Sequence, residues 1–416
     1  MRVSRSAAVM AATTSAYTIS VFTRSSLAVA ALPASEQFQT TASALGALVV
    51  FQVMVYAAMQ IPVGVLLDRF GPRILLIIGA LFMTAGQLIV AQAVDINIAY
   101  VGRMLVGIGD SATFVSMIRL IQDWNQPNRA GRLQLMMTNI GQSGQVIAVI
   151  PFAFVLGFAG WQSAFNVAAI VALFSGLIVF VVIRSDAPVG VNHHDGLTFK
   201  KSLSQLGMNL KFSGARMCFW MMFVSQSSGT VFALFWGVPF LIKGQGQTAE
   251  FASTMLLVQF VIALSVGWLL GKVIITRKHL RIPIFIAVGI MQIIAWLILA
   301  AQNDHAPTWL LYVVVASISI GAPASMIAMD ISRTIIPAER RGSGNGFINV
   351  GGHAATFIMM AFAGWTLDLV QKVSGSTNPF TFIGFRWAMA TQVIVLVFGL
   401  LMFGIEFRKT RLVTAI

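Results

Sequence analysis

Six charged residues fall inside long apolar runs: Arg24, Arg103, Asp110, Arg119, Asp330 and Arg333. A charge at bilayer depth costs roughly 3 kcal/mol or more, so each of them needs a partner, water or a task. The chemistry open to them is ion pairing, proton exchange at a carboxyl group, and charge-assisted binding of an anion by a guanidinium. Four positive groups against two negative ones, if all face inward, favour an anionic or zwitterionic solute such as a carboxylate, a small peptide or an inorganic oxyanion. His353 is the membrane-depth histidine, which titrates near neutral pH when unperturbed. It reads either as a proton-handling group or as a packing residue beside Asn345 and Asn349.

The elements that position these groups follow from composition. The 416 residues are 57% hydrophobic and 10% charged, with a mean hydropathy of +0.85, where a soluble domain is about a quarter charged. In hydrocarbon only a helix or a closed barrel satisfies its own backbone, and apolar runs of this length are helices. Twelve are expected, near 10–32, 44–67, 74–94, 98–122, 133–158, 162–183, 216–241, 249–271, 282–301, 307–331, 343–367 and 385–407. The fold class is therefore an all-α membrane protein, with twelve transmembrane helices in two pseudo-symmetric six-helix bundles. Arg2, Arg5 and the first run imitate a secretory signal, but Arg24 interrupts the apolar stretch.

The formal net charge is +14, and its placement argues against a nucleic-acid face. With the N-terminus inside, most Lys and Arg fall on cytoplasmic segments, and Lys243, Lys372 and Arg386 on the other side. This is the positive-inside pattern, which puts both termini in the cytoplasm of a multi-pass cell-membrane protein in contact with anionic lipid. The single Cys218 allows no disulfide within the chain. His193 and His194 in the polar central loop do not make a metal site, and no metal or other cofactor is expected. The chain is expected to be a monomer and not an enzyme, since no spacing assembles nucleophile, base and metal.

A polar stretch over 184–215 divides the runs six and six. The expected organisation is a bundle over 1–183, a cytoplasmic linker over 184–215 with a short amphipathic helix at 203–210, and a second bundle over 216–416. Internal echoes support duplication. Gly64-Val-Leu-Leu-Asp68-Arg69 answers Gly267-Trp-Leu-Leu-Gly271-Lys272, Pro127 to Gly131 with Asn139-Ile-Gly141 answers Pro337 to Gly342 with Asn349-Val-Gly351, and Gly160-Trp161-Gln162 answers Gly384-Phe385-Arg386.

The run Gly64-x-x-x-Asp68-Arg69-x-Gly71-x-Arg73 between the second and third helices resembles the cytoplasmic signature of the major facilitator superfamily, and the resemblance covers nearly the whole chain. It implies a secondary or facilitative transporter working by alternating access, and a cytoplasmic latch made of Gly64, Asp68, Arg69, Gly71, Arg73 and Asp123. Gly64 is expected to allow close helix approach and Gly71 a tight turn. Arg103-x-x-x-Gly107-x-Gly109 is similar to a family pattern associated with proton coupling. The run Gly141-Gln-Ser-Gly144-Gln departs from the fifth-helix pattern of the family's antiporters. Uptake of a small polar solute, by proton symport or uniport, is the first reading. Efflux of amphipathic compounds in exchange for protons is the second, and a non-transporting receptor or sensor is the alternative of another class.

The resemblance also implies that the first, fourth, seventh and tenth helices line the cavity. Thr13, Tyr17, Ser20 and Arg24 share one stripe of the first helix. Arg24 then either faces substrate or snorkels to the outer interface. Asp110 is either a titrating carboxyl or the permanent partner of Arg103, which shares its face. Aligning the halves sets Arg119 opposite Asp330, with Arg333 one turn on, as a gate. Tyr17, Arg24, Asn139, Trp236 and Asn349 are the candidate substrate contacts; Trp236 either stacks on substrate or sits in the apolar core. Arg103, Asp110, Arg119, Asp330, Arg333 and His353 are the candidate coupling or gating groups.

Overall fold

A backbone group left unpaired in hydrocarbon costs several kcal/mol, and helices pay no such penalty because each bonds within itself. The computed structural model describes residues 5–125, 133, 136–138, 140–183, 204, 207–337 and 341–413, and no strand occurs among them. In chain order the principal elements are α1 (Arg5–Val29), α2 (Ala31–Phe38), α3 (Ala42–Ala91), α4 (Ile96–Trp124), α5 (Gly144–Ile147) and α6 (Ala153–Val182). They continue with α7 (Ser213–Val231), α8 (Gly237–Pro239), α9 (Ala249–Thr276), α10 (Arg281–Ala300), α11 (Thr308–Ser319), α12 (Gly321–Ile335), α13 (Arg341–Ser374) and α14 (Phe382–Val413).

Ten stretches among the described residues are long and apolar enough to cross a membrane. One of them, Met136–Val182, has 47 residues, about 70 Å of helix against a hydrocarbon core of about 30 Å, so it holds two spans. They part at Gly160, where φ is 78°. α1 is a further span of 25 residues, and its Thr, Ser, Tyr and Arg side chains lower its hydropathy without shortening it. The twelve expected helices are thus accounted for. α3 holds the second and third spans on either side of Gly71, whose φ of 75° only glycine adopts without strain.

Local chemistry fixes several ends. The Asp95 carboxylate accepts from the backbone N–H groups of Asn97 at 2.7 Å and Ile98 at 3.2 Å, and Thr248 accepts from Phe251 at 3.1 Å. Each satisfies N–H groups that the first helical turn leaves free. Among the described residues three segments widen to π-helix: Ala148–Phe152 around Pro151, and Phe232–Trp236 and Phe240–Gly244 on either side of Pro239. Proline removes one ladder hydrogen bond, and the extra residue per turn absorbs the mismatch.

By backbone contacts the chain divides into two compact units, one of residues 1–40 and 51–198, the other of 41–50 and 199–416. In the first, a buried core of Val9, Tyr17, Val21, Leu76, Met117, Leu120, Ile121 and Val179 joins α1, α3, α4 and α6. The glycines of the proton-coupling pattern serve this packing. A Cβ at Gly109 would lie 2.3 Å from the Gly79 carbonyl oxygen, and one at Gly107 2.6 Å from that of Gln52.

The echo at the sixth and twelfth spans is matched by contacts. In the first unit the Trp161 indole N–H donates to the Val90 carbonyl at 2.9 Å, near the end of the third span. In the second, Arg386 Nε donates to the Ala300 carbonyl at 2.7 Å, at the end of the ninth. The short linker helix is seen at 207–211; His193, His194 and the rest of 184–203 lie outside the described residues.

Candidate functional site

α1 presents Ser20 and Arg24 one turn apart, and both reach the same carboxylate. The Ser20 hydroxyl donates to Asp110 Oδ1, and Arg24 Nη1 lies 3.2 Å from Asp110 Oδ2. Asp110 is 2% exposed and Arg24 19%, so Arg24 turns into the protein rather than to an outer interface. The Tyr56 ring on α3 has the guanidinium 5.9 Å from its centroid, within the range of a cation–π contact.

Arg103 shares the α1-facing side of α4 with Asp110, as its spacing predicts, but its partners differ from those expected. Its Nη2 donates to the Arg24 carbonyl at 3.0 Å and its Nη1 to the Thr23 carbonyl at 3.4 Å. Gln87 of α3 donates to the same Thr23 carbonyl at 3.1 Å. The fully buried Arg103 therefore grips the backbone of the turn whose side chain holds Asp110. Of the two readings open for Asp110, a titrating carboxyl or the partner of Arg103, neither named the ion-pair partner seen here, Arg24, which enters from a neighbouring helix that helical spacing along α4 does not show.

Tyr17 continues the α1 stripe. Its hydroxyl accepts from Gln142 Nε2 at 3.0 Å, and Gln142 Oε1 accepts from Gln145 Nε2 at 2.8 Å. A Cβ at Gly141 would sit 1.9 Å from Tyr17 Cδ1, and one at Gly144 2.1 Å from the Thr18 carbonyl oxygen. Gly141-Gln-Ser-Gly144 thus brings a polar side chain to α1 between two positions with no room for a side chain. Thr13 belongs to the stripe but not to the network, since its hydroxyl is spent on the Val9 carbonyl at 2.7 Å. Sequence reading missed Tyr56, Gln87 and Gln142; the glycines flanking Gln142 were the available signal for it.

The gate residues have local partners. Arg119 Nε lies 3.1 Å from Asp123 Oδ1 one turn along α4, and Asp330 pairs with Arg281 at the start of α10. Asn139 and the Arg333 side chain lie outside the described residues.

In the second unit Trp236 is fully buried, its indole N–H donating to the Met360 carbonyl at 3.3 Å. Phe235 at 4.7 Å and Phe385 at 6.2 Å between ring centroids enclose it. Asn345, Asn349 and His353 follow one stripe of α13 and are half-buried, with Asn345 accepting from the Ser332 hydroxyl at 2.8 Å. Gln226 of α7, another residue missed from sequence, lays its amide over the next turn: a Cβ at Gly352 would fall 2.7 Å from its Oε1.

Of the latch residues, Gly71 makes the turn expected of it. At Gly64 a Cβ would meet nothing within 4 Å among the described residues. Arg73 donates to the Phe180 carbonyl at 3.0 Å and lies 5.3 Å from that ring's centroid, which places a cation at the C-terminal end of α6. The side chains of Asp68 and Arg69 lie outside the described residues.

A bundle of membrane-spanning helices that buries an ion pair beside a relay from Gln145 through Gln142 to Tyr17 defines a polytopic membrane protein with a polar interior. The chain belongs to the Major Facilitator Superfamily, whose family model matches residues 13–359. Similar chains include the probable L-galactonate transporter of Escherichia coli K12, 26% identical over 223 residues, 49% of each chain. Others are a nitrate/nitrite transporter of Nostoc punctiforme, 30% identical over 41% of this chain and 34% of that one, and the probable sulfoacetate transporter of Cupriavidus necator, 28% identical over 41% and 40%. The matched stretch spans about half or less of each relative's length.

Among solved structures, a bacterial homologue of the human lysosomal transporter Spinster superposes with a TM-score of 0.76 at 15% identity, covering 98% of both chains. The xylose transporter of E. coli gives 0.67 at 15% identity over 94% of this chain and 95% of that one. These likenesses show the twelve-helix fold. The family and its relatives are transporters rather than enzymes.

Proposed function

We propose that this chain is a secondary or facilitative transporter that moves a small anionic or zwitterionic solute by alternating access, with Arg24 as the anion-binding group and Asp110 as its exchangeable partner. The observation that carries the reading is the Arg24–Asp110 pair itself. A buried guanidinium is expensive unless paired, and here one edge is paired with Asp110 while part of the side chain stays accessible. A guanidinium suits bidentate binding of a carboxylate or oxyanion. Arg24 and Arg103 against Asp110 leave one positive charge in excess at this depth, which an anionic solute would balance.

The relatives support the same class. Their names refer to L-galactonate, nitrate or nitrite, and sulfoacetate, all anions at neutral pH. Protonating Asp110 weakens its hold on Arg24 and frees the guanidinium for substrate, which links solute binding to proton binding. The positive-inside pattern supports a cell-membrane location with both termini cytoplasmic, and a monomer suffices for this mechanism.

The test is thermal-shift screening of the purified protein against carboxylates, small peptides, oxyanions and cationic drugs, followed by uptake into proteoliposomes. A ligand that binds the folded state raises its stability. An anion or zwitterion should stabilise the wild type and not Arg24→Ala, and Asp110→Asn should bind it but no longer respond to an imposed pH gradient. Stabilisation by cationic drugs alone would replace this reading with proton-coupled efflux of amphipathic compounds.

A further inference from the structure

On the outer face of the second unit, α10 and α14 run antiparallel and leave a groove of about 370 Å³ between them, lined by Ile286 and Ile290 on one side and by Phe403, Gly404, Phe407 and Arg408 on the other. We propose that this groove holds one acyl chain of an anionic phospholipid, whose phosphate is bound by Arg408.

The groove has a built floor and a built notch. Phe403 stacks on Phe407 at 5.5 Å between ring centroids and is met by Phe285 at 4.6 Å, which fixes the aromatic rings. Gly404 opens the notch, because a Cβ at that position would meet nothing within 4 Å. Ile286 and Ile290 are one turn apart, and Phe403, Gly404 and Phe407 share a stripe of α14. From Leu400 to Arg408 the groove follows about 12 Å of helix.

Its surroundings select lipid over an aqueous ligand. Ile294, Leu297, Leu401 and Ile405 on the same two helices are 49%, 50%, 64% and 47% exposed. Exposed apolar side chains over that length belong in hydrocarbon.

The charge at its end selects an anionic headgroup. Arg408 is exposed and follows Phe407 directly. Its neighbour Lys409 is held by Glu406 at 3.2 Å, and Glu406 also takes Arg216 at 2.9 Å. The local carboxylate is therefore engaged by two cations, and among the described residues no ion pair takes up Arg408. The helices being antiparallel, the start of α10 lies at this same end, preceded by the exposed Arg277 and Lys278. A basic cluster at one end of an interhelical apolar groove is the arrangement that holds an acidic lipid headgroup.

The test is native mass spectrometry of the full-length protein titrated with phosphatidylglycerol or phosphatidylcholine, on the wild type, Arg408→Gln and Gly404→Leu. Neither substitution touches a packed contact, and an unchanged melting temperature verifies the fold. The wild type should retain phosphatidylglycerol about fivefold more tightly than phosphatidylcholine, the value of one basic residue near the surface. Arg408→Gln should bring the two lipids level, and Gly404→Leu should weaken both. Equal retention of the two lipids by the wild type, or an undiminished preference in Arg408→Gln, would overturn the proposal.

Discussion

Arg24 and Asp110 meet at 3.2 Å although 86 residues separate them in the chain, and the hydroxyl one turn before Arg24 takes the other oxygen of the same carboxylate. Removing either charge leaves the other buried and unpaired, which costs about 3 kcal/mol or more. Arg24→Gln and Asp110→Asn should each lower the unfolding free energy by about that much. The double variant should lose much less than the sum of the two, as a double-mutant cycle of thermal unfolding in detergent would read; additive losses would mean that the pair is not coupled.

Arg103 acts on the backbone of the turn that carries Arg24. Arg103→Lys keeps the charge but cannot reach two carbonyls with one fork. We expect a loss of about 2 kcal/mol, in line with charged hydrogen bonds, together with weaker ligand-induced stabilisation although Arg24 is intact. A variant that melts early yet keeps the full ligand shift would limit Arg103 to stability.

Gly141 and Tyr17 share a space that admits one side chain. Gly141→Ala should cost about 1–3 kcal/mol by overpacking. Adding Tyr17→Ala should recover part of it by removing the ring that the new methyl strikes. The melting temperatures of the two single variants and the pair check this directly.

The two glycines of the loop signature should behave oppositely. Gly71→Ala places a Cβ on a backbone at φ 75° and should cost about 1 kcal/mol or more. Gly64→Ala meets nothing within 4 Å and lies within a helix, so it should be neutral or gain about 0.5 kcal/mol. A large loss at Gly64 would show that its role is exercised in another conformation of the protein.

Glu406 ties Arg216, in the first turn of α7, to Lys409 near the end of α14. Glu406→Gln should lower the melting temperature more than Lys409→Gln does. The Arg216 contact at 2.9 Å involves a carboxylate that is 6% exposed, whereas Lys409 is 54% exposed and screened by solvent.

The sequence by itself determined the helical class and the number of spans. It did so because hydrocarbon forces every backbone group into a helix of fixed length. It also determined that Ser20 and Arg24 share a stripe and that Arg103 and Asp110 share a face, since helical periodicity alone sets those relations. Only the tertiary structure decided the partners. Arg24 meets Asp110, Arg281 takes Asp330, Trp236 bonds to the Met360 carbonyl, and Gln142 reaches Tyr17. Each of these depends on which helix lies beside which, and on rotations about helix axes that packing sets and local sequence does not encode.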